Sequence, residues 1–216
     1  GAPRSARVVR RRACSVSERV GILGGTFDPP HTGHVLVADR AARRLDLDPV
    51  LLVPTGRPPH KPEGALLDAA LRAELVAAVA AEHDRLEMWP GEIEREGVSY
   101  TADTVEQIAA ERPGAELWFI LGTDQLREFH RWRDPERIVA VARLAAVARS
   151  GDHPDEAAAR LPSGARVDVV HVPRIDVSST LVRQRMGDGL PIDDLVPAAV
   201  AEALRKKGLV ASPTSR

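Results

Sequence analysis

Arg19-Val20-Gly21-Ile22-Leu23-Gly24-Gly25-Thr26-Phe27-Asp28-Pro29-Pro30-His31-Thr32-Gly33-His34 decides the reading of this chain. A short apolar run ends in two glycines and a helical pattern begins at Gly33, so the stretch predicts a strand-to-helix turn. In an open α/β sheet, ligands sit outside the carboxyl ends of the strands. Glycines there admit close backbone approach, and the next helix offers unpaired N–H groups to anions. His31 and His34, three residues apart, add two imidazole donors that can face one bound phosphate. The stretch therefore predicts a phosphate site at the first strand-helix junction.

The same alternation continues outward. Thr32 is placed to cap a helix over 33–45, whose buried stripe is Val35, Leu36, Ala38, Ala41, Ala42 and Leu45. The continuous apolar run over 50–54 suits a strand buried on both faces, and it leads into a proline-rich loop that carries His60 and Lys61. Asp68 can cap a helix over 69–82, which precedes a strand over 86–89. Thr101 can cap a helix from about 102, and the strand over 117–121 breaks at Gly122-Thr123-Asp124. Asp134-Pro135 starts a short helix to about 141, followed by a strand over 144–148, a helix through Ala157 and a strand over 167–172. Ser178-Ser179-Thr180 opens another helix with Arg183 one turn inside, and a last helix runs from Pro197 to Lys207 with Gly208 behind it. Six strand-helix units predict a doubly wound, mainly parallel α/β sheet, Rossmann-like, with a small C-terminal helical part.

Composition bounds the function. The formal net charge of −1 hides an asymmetry: residues 1–18 hold five arginines against one glutamate, leaving 25 basic and 30 acidic residues in the rest. An acidic body argues against a nucleic-acid partner, whereas a small anionic ligand needs only a local basic pocket. The single cysteine, Cys14, cannot form an internal disulfide, and no apolar run approaches the ~20 residues that span a bilayer. We expect a cytoplasmic protein without a membrane partner, as a monomer or homo-oligomer. Residues 1–18 are expected to be a disordered extension, 19–210 a single domain and 211–216 a tail. Aromatics are only 3% of the chain, which forces an aliphatic core and makes each remaining aromatic informative.

Each candidate has a bland alternative. His31, His34 and His60 lack the companions of a zinc site, and no metal ligand set is expected. His60-Lys61 would be ordinary solvated residues but for their place at the end of the second strand. Ser178, Ser179 and Thr180 could serve only as a cap, and Arg183 only as a surface charge. Together they form an anion cradle of hydroxyls, N–H groups and a guanidinium. Asp124 can cap a helix and touch a ligand at once. Trp132, among His130, Arg131 and Arg133, is poorly placed for a core and suits stacking on a planar heterocycle. Trp89 and Trp118, in strand-like runs, read as packing.

Gly25, Phe27, Asp28, Pro29, His31, Gly33 and His34 match the pattern G-x-F-D-P-x-H-x-G-H, so the stretch resembles the signature of the nucleotidylyltransferases, whose fold the resemblance implies. Further pieces narrow the resemblance to bacterial-type nicotinate-nucleotide adenylyltransferases over 20–210. These are Pro58-Pro59-His60-Lys61, Ser99-Tyr100-Thr101-Ala102-Asp103-Thr104, Gly122-Thr123-Asp124 with Trp132, Ser178 to Arg183, and Leu195-Val196-Pro197. The departures are Val177 where the family commonly has Ile, Thr123 where it often has Ala, and the arginine-rich extension.

The resemblance implies adenylyl transfer from ATP to nicotinate mononucleotide, giving deamido-NAD and pyrophosphate. It implies His31, His34 and Arg183 as the catalytic groups. Gly24, Gly25, Thr26, Phe27, Lys61, Gly122, Ser178, Ser179 and Thr180 would lie on the ATP side, and Thr101, Asp124 and Trp132 on the mononucleotide side. Mg²⁺ would arrive with ATP, held by phosphates and water. The alternatives are a sibling enzyme using nicotinamide mononucleotide or phosphopantetheine, and a nucleotide-binding regulatory protein without catalysis. Trp132 and the Ser-Tyr-Thr segment speak against phosphopantetheine, and the intact histidine and Ser-Ser-Thr-x-x-Arg segments against loss of catalysis.

Overall fold

Strands β1 (Arg19–Gly25), β2 (Val50–Pro54), β3 (Leu86–Met88), β4 (Glu116–Gly122), β5 (Ala142–Ala148) and β6 (Val167–His171) pair in parallel, in the order β3-β2-β1-β4-β5-β6. The structure is a computed structural model and describes residues 17–57 and 65–211. The expectations for the arginine-rich extension up to residue 16, for His60 and Lys61, and for the tail from residue 212 lie outside these residues. Glu18, placed in the extension from sequence, accepts from the Glu116 N–H at 2.8 Å and pairs with Arg112.

The helices are α1 (Thr32–Leu45), α2 (Ala69–Ala81), α3 (Gly91–Glu94), α4 (Thr101–Glu111), α5 (Thr123–Glu128), α6 (Pro135–Val141), α7 (Pro154–Ala158), α8 (Ser179–Gly187) and α9 (Ala198–Lys206). Strand side chains alternate between two cores, as the period of two requires. Leu52, Trp118, Ile120, Ala145 and Val147 face a core shared with α1, α2, α8 and α9. Leu51, Val53, Leu117, Phe119, Leu144 and Ala146 face one shared with α4 to α7. The sheet is thus doubly wound, and the C-terminal helices belong to the first core through Val182, Val200, Ala201 and Leu204. Trp89 and Trp118 are buried, as read from sequence, each with its indole N–H on a carboxylate: Glu111 and Asp168 respectively. Among the described residues no helix is long and apolar enough to cross a membrane.

Several helix starts differ by one residue from the sequence reading. The N-cap of α1 is His31, while Thr32 turns its N–H and hydroxyl to the Leu195 carbonyl at 3.0 and 3.1 Å. Tyr100 caps α4 and Thr101 is its first residue. Pro197 caps α9 from just outside it. Asp68 and Ser178 cap as expected, accepting from Leu71 and Leu181 N–H at 2.7 and 3.2 Å. The helix α3, hidden in a polar stretch, was not foreseen.

Candidate active site

The strand order reverses direction between β1 and β4, the switch point at which open α/β sheets hold ligands. Their pairing stops at Ile22 and Phe119, whereas β1 stays paired with β2 to Gly25 and Pro54, and β4 with β5 to Gly122 and Val147. The sheet therefore parts at the carboxyl ends of β1 and β4. Ile22 and Phe119 line the resulting cleft of about 890 Å³, a volume suited to a small ligand.

Of the residues singled out from sequence, Gly24, Gly25, Thr26, Thr101, Asp124 and Trp132 line this cleft. Trp132 is half-buried: its indole meets Phe119 edge-on at 5.8 Å and Phe129 at 5.2 Å, so it packs on one side and borders the cleft on the other. Asp124 is exposed and paired with Arg127 at 2.7 Å. Gly122 is the N-cap of α5, its N–H bonded to Gln125 Oε1 at 3.1 Å, and it does not line the cleft.

The remaining predicted residues gather at the adjoining turn. Phe27 is buried with φ +48°, a left-handed conformation that is rare for a bulky side chain. Asp28, also buried, accepts from the Leu66 and Leu67 N–H groups, both at 2.9 Å. The histidine rings stack at 3.7 Å, with the His34 ring 4.7 Å from that of Phe27. Gly33 makes room here, since a Cβ on it would lie 3.0 Å from Val177 and 3.1 Å from the His31 ring. Burial pushes His31 down to about 4, and burial followed by the His31 neighbour holds His34 well below the usual imidazole value. Both are neutral near pH 7. His31 Nδ1 is buried without a hydrogen-bond partner among the described residues, an unmet bond that a ligand can complete.

The start of α8, some 150 residues later in the chain, closes on this turn. Ser179 Oγ donates to the Pro29 carbonyl at 3.0 Å. Arg183 donates to the Asp28 carbonyl at 2.8 Å and to Thr180 Oγ1 at 3.2 Å, with the Asp28 carboxylate 3.6 Å away. The glycine turn, paired imidazoles, hydroxyls and a guanidinium thus meet beside the cleft. This group can bind a polyphosphate and stabilise charge on a leaving phosphate.

Other cleft residues were missed from sequence. Glu92 is buried on the cleft wall, where it accepts from Thr104 Oγ1 at 2.7 Å. Burial pushes its carboxyl up, against the Thr104 bond and the Arg95 charge. A Cβ on Gly56 would fall 2.0 Å from the Glu92 carbonyl oxygen, so only glycine lets these segments meet. Nothing periodic marks Glu92 in the polar stretch 92–96. Arg133 lies over the Tyr100 ring at 4.2 Å. Among the described residues no group of three or more His, Cys, Asp and Glu could hold a metal ion.

A parallel sheet that parts at its switch point, with a glycine turn and paired histidines beside a cleft bordered by Phe119 and Trp132, has the form of a nucleotidyltransferase-type α/β protein. Residues 22–185 match the family model described as Cytidylyltransferase-like. Relatives named "Probable nicotinate-nucleotide adenylyltransferase" include the following two. That of Dehalococcoides mccartyi is 39% identical over 200 residues, covering 90% of this chain and 98% of the relative. That of Moorella thermoacetica is 38% identical over 197 residues, covering 88% and 91%. The chain belongs to the nicotinate-nucleotide adenylyltransferase family. Among solved structures, Plasmodium falciparum nicotinic acid mononucleotide adenylyltransferase complexed with NaAD superposes with a TM-score of 0.71 over 89% of this chain and 97% of that one. At 16% identity this likeness concerns the fold.

Proposed function

We propose that the protein joins the adenylyl group of ATP to nicotinate mononucleotide, releasing pyrophosphate and forming deamido-NAD. The observation that carries the reading is the meeting of α8 with the first turn, Ser179 on Pro29 and Arg183 on Asp28, beside a cleft walled by Trp132 and Phe119. A 5′-phosphate oxygen of the mononucleotide attacks the α-phosphorus of ATP. The bond from that phosphorus to the β-bridging oxygen breaks, and the electron pair leaves with pyrophosphate. No protein nucleophile is needed, because the attacking phosphate is already ionised near pH 7.

The protein's part is alignment and charge stabilisation. Backbone of Gly24 to Phe27 lines the nucleotide, while His31 and His34 donate to its phosphates as neutral imidazoles. Ser178, Ser179 and Thr180 complete the cradle, and Arg183 faces the departing pyrophosphate. Trp132 stacks on the pyridine ring, and Asp124 accepts from sugar hydroxyls. The start of α4 at Thr101 offers N–H groups to the pyridine carboxylate, which favours the acid over the amide. Mg²⁺ carried by the ATP phosphates and water would neutralise part of the phosphate charge, with no carboxylate of this chain assigned to hold it.

Pyrophosphate release with ATP and Mg²⁺ tests this, comparing nicotinate mononucleotide, nicotinamide mononucleotide and phosphopantetheine. We expect the first to be turned over at least ~10-fold better than the others, about 1.4 kcal/mol of discrimination. Preference for phosphopantetheine would remove the roles of Trp132 and Thr101. Binding of ATP without any release would leave a nucleotide-binding protein.

A further inference from the structure

Arg72 is the largest fully buried side chain of the described residues, 2% exposed, on the face of α2 that otherwise buries Leu71, Leu75, Val76 and Val79. An apolar residue would fill that place without the cost of desolvating a charge, so a guanidinium there calls for a reason beyond packing. Its hydrogen bonds supply one. Nη1 donates to the Thr26 carbonyl at 2.8 Å and to the Thr55 carbonyl at 2.6 Å. Nη2 donates to Gly56 O and Nε to Leu67 O, both at 3.2 Å. All four acceptors are main-chain carbonyls, and no carboxylate takes a hydrogen bond from it among the described residues.

Three of those carbonyls follow the ends of β1 and β2, at the mouth of the cleft that Thr26 and Thr55 line. Free carbonyls beside the cleft would repel a polyphosphate bound there. Drawn inward onto a buried cation, they are removed from it, and each planar trans peptide turns its N–H to the opposite side. The amides of these peptides, on the side opposite the bound carbonyls, belong to Phe27, Gly56 and Arg57. Phe27 is also the residue held at φ +48°, a conformation that persists where its surroundings over-determine it. The Thr26 carbonyl held by Arg72 belongs to the peptide that leads into it. We propose that Arg72 is the positioning residue of the ATP half of the site: by binding the carbonyls of Thr26, Thr55 and Gly56 from beneath, it sets the turn that receives the phosphates. The proposal rests on the assignment of that turn to ATP, and it concerns no group that touches substrate.

The test is calorimetric binding of α,β-methylene-ATP and, separately, of nicotinate mononucleotide to the wild type, Arg72→Lys and Arg72→Met, with thermal melting of each. Arg72→Met should bind the ATP analogue at least about tenfold more weakly, with Arg72→Lys between it and the wild type, while mononucleotide affinity stays within about threefold. Unchanged affinity for the analogue in a cooperatively melting Arg72→Met overturns the proposal. So does equal weakening of both ligands, the mark of a merely structural residue, or failure of the wild type to bind the analogue. Should neither variant fold, the wild type decides: the Arg72 Nε–H resonance must shift as the analogue is added and stay in place with the mononucleotide. An unmoved resonance sinks the idea. A wild type that binds the analogue but releases no pyrophosphate with any acceptor removes the functional reading and leaves this result standing.

Discussion

The backbone N–H of His31 donates to Nδ1 of His34 across 3.1 Å, which leaves the His34 proton on Nε2. The same bond satisfies a helix-cap donor and orients the ring, while the His34 N–H returns to the His31 carbonyl at 2.9 Å. One histidine is therefore both cap and donor. We expect His31→Ala and His34→Ala each to lower turnover by ~10²-fold or more, on the scale of oxyanion-type donors. Melting of His31→Ala should remain cooperative, and near-normal turnover of that variant would remove His31 from the mechanism.

Burial also makes the pair a source of acid sensitivity. Imidazoles of the unfolded chain protonate near 6.5, whereas folded His31 resists protonation down to about 4. Between those values the unfolded state binds more protons, so stability falls with acidity. The His31 share is about 1.4 kcal/mol per pH unit in that window, and it stops growing below the folded value. Urea denaturation of His31→Gln from pH 7 to 4.5 should show a shallower loss than the wild type. Identical slopes would mean that His31 titrates near its ordinary value.

Trp132 divides its surface between Phe119 and Phe129 on one side and the cleft on the other. Ring stacking is worth about 1–3 kcal/mol by truncation, so Trp132→Ala should raise the KM for the mononucleotide roughly 5- to 150-fold. The KM for ATP should hardly change. Trp132→Phe should recover part of the loss, and a rise confined to ATP would contradict the assignment.

Arg183 donates to the Asp28 carbonyl and to Thr180, and its five N–H groups can serve further acceptors. Charge on a leaving pyrophosphate develops in the transition state, so Arg183→Ala should lower kcat by about 10²-fold with a smaller effect on the KM for ATP. A purely KM effect would make Arg183 a ground-state anchor.

Chelation of Mg²⁺ should stop pyrophosphate release and leave the melting temperature of the ligand-free protein in place, because the metal would be carried by ATP. A marked destabilisation by chelator alone would point to a metal site in the fold itself.

Much of this protein was written locally. The apolar runs, the glycine turn and the caps at Asp68 and Ser178 were legible because strand and helix periods and capping residues are short-range signals. Six strands in a mainly parallel sheet followed from them, and the family resemblance joined them in singling out His31, His34, Ser179 and Arg183 as candidates. The one-residue shifts at His31 and Tyr100 arose where a ring nitrogen, or the backbone alone, took the place of a hydroxyl cap.

The tertiary structure decided what those signals met. Arg183 comes to Asp28 across 155 positions, Arg72 to Thr26 across 46, and Glu92 to Thr104 on a cleft wall that no periodicity marks. The parting of β1 from β4 beyond Ile22 and Phe119 is equally a product of assembly. Hydrophobic period tells each segment which face to bury, and capping tells it where to start. Which buried donor finds which carbonyl depends on how crossovers stack the segments around the sheet, and only the folded chain sets those distances.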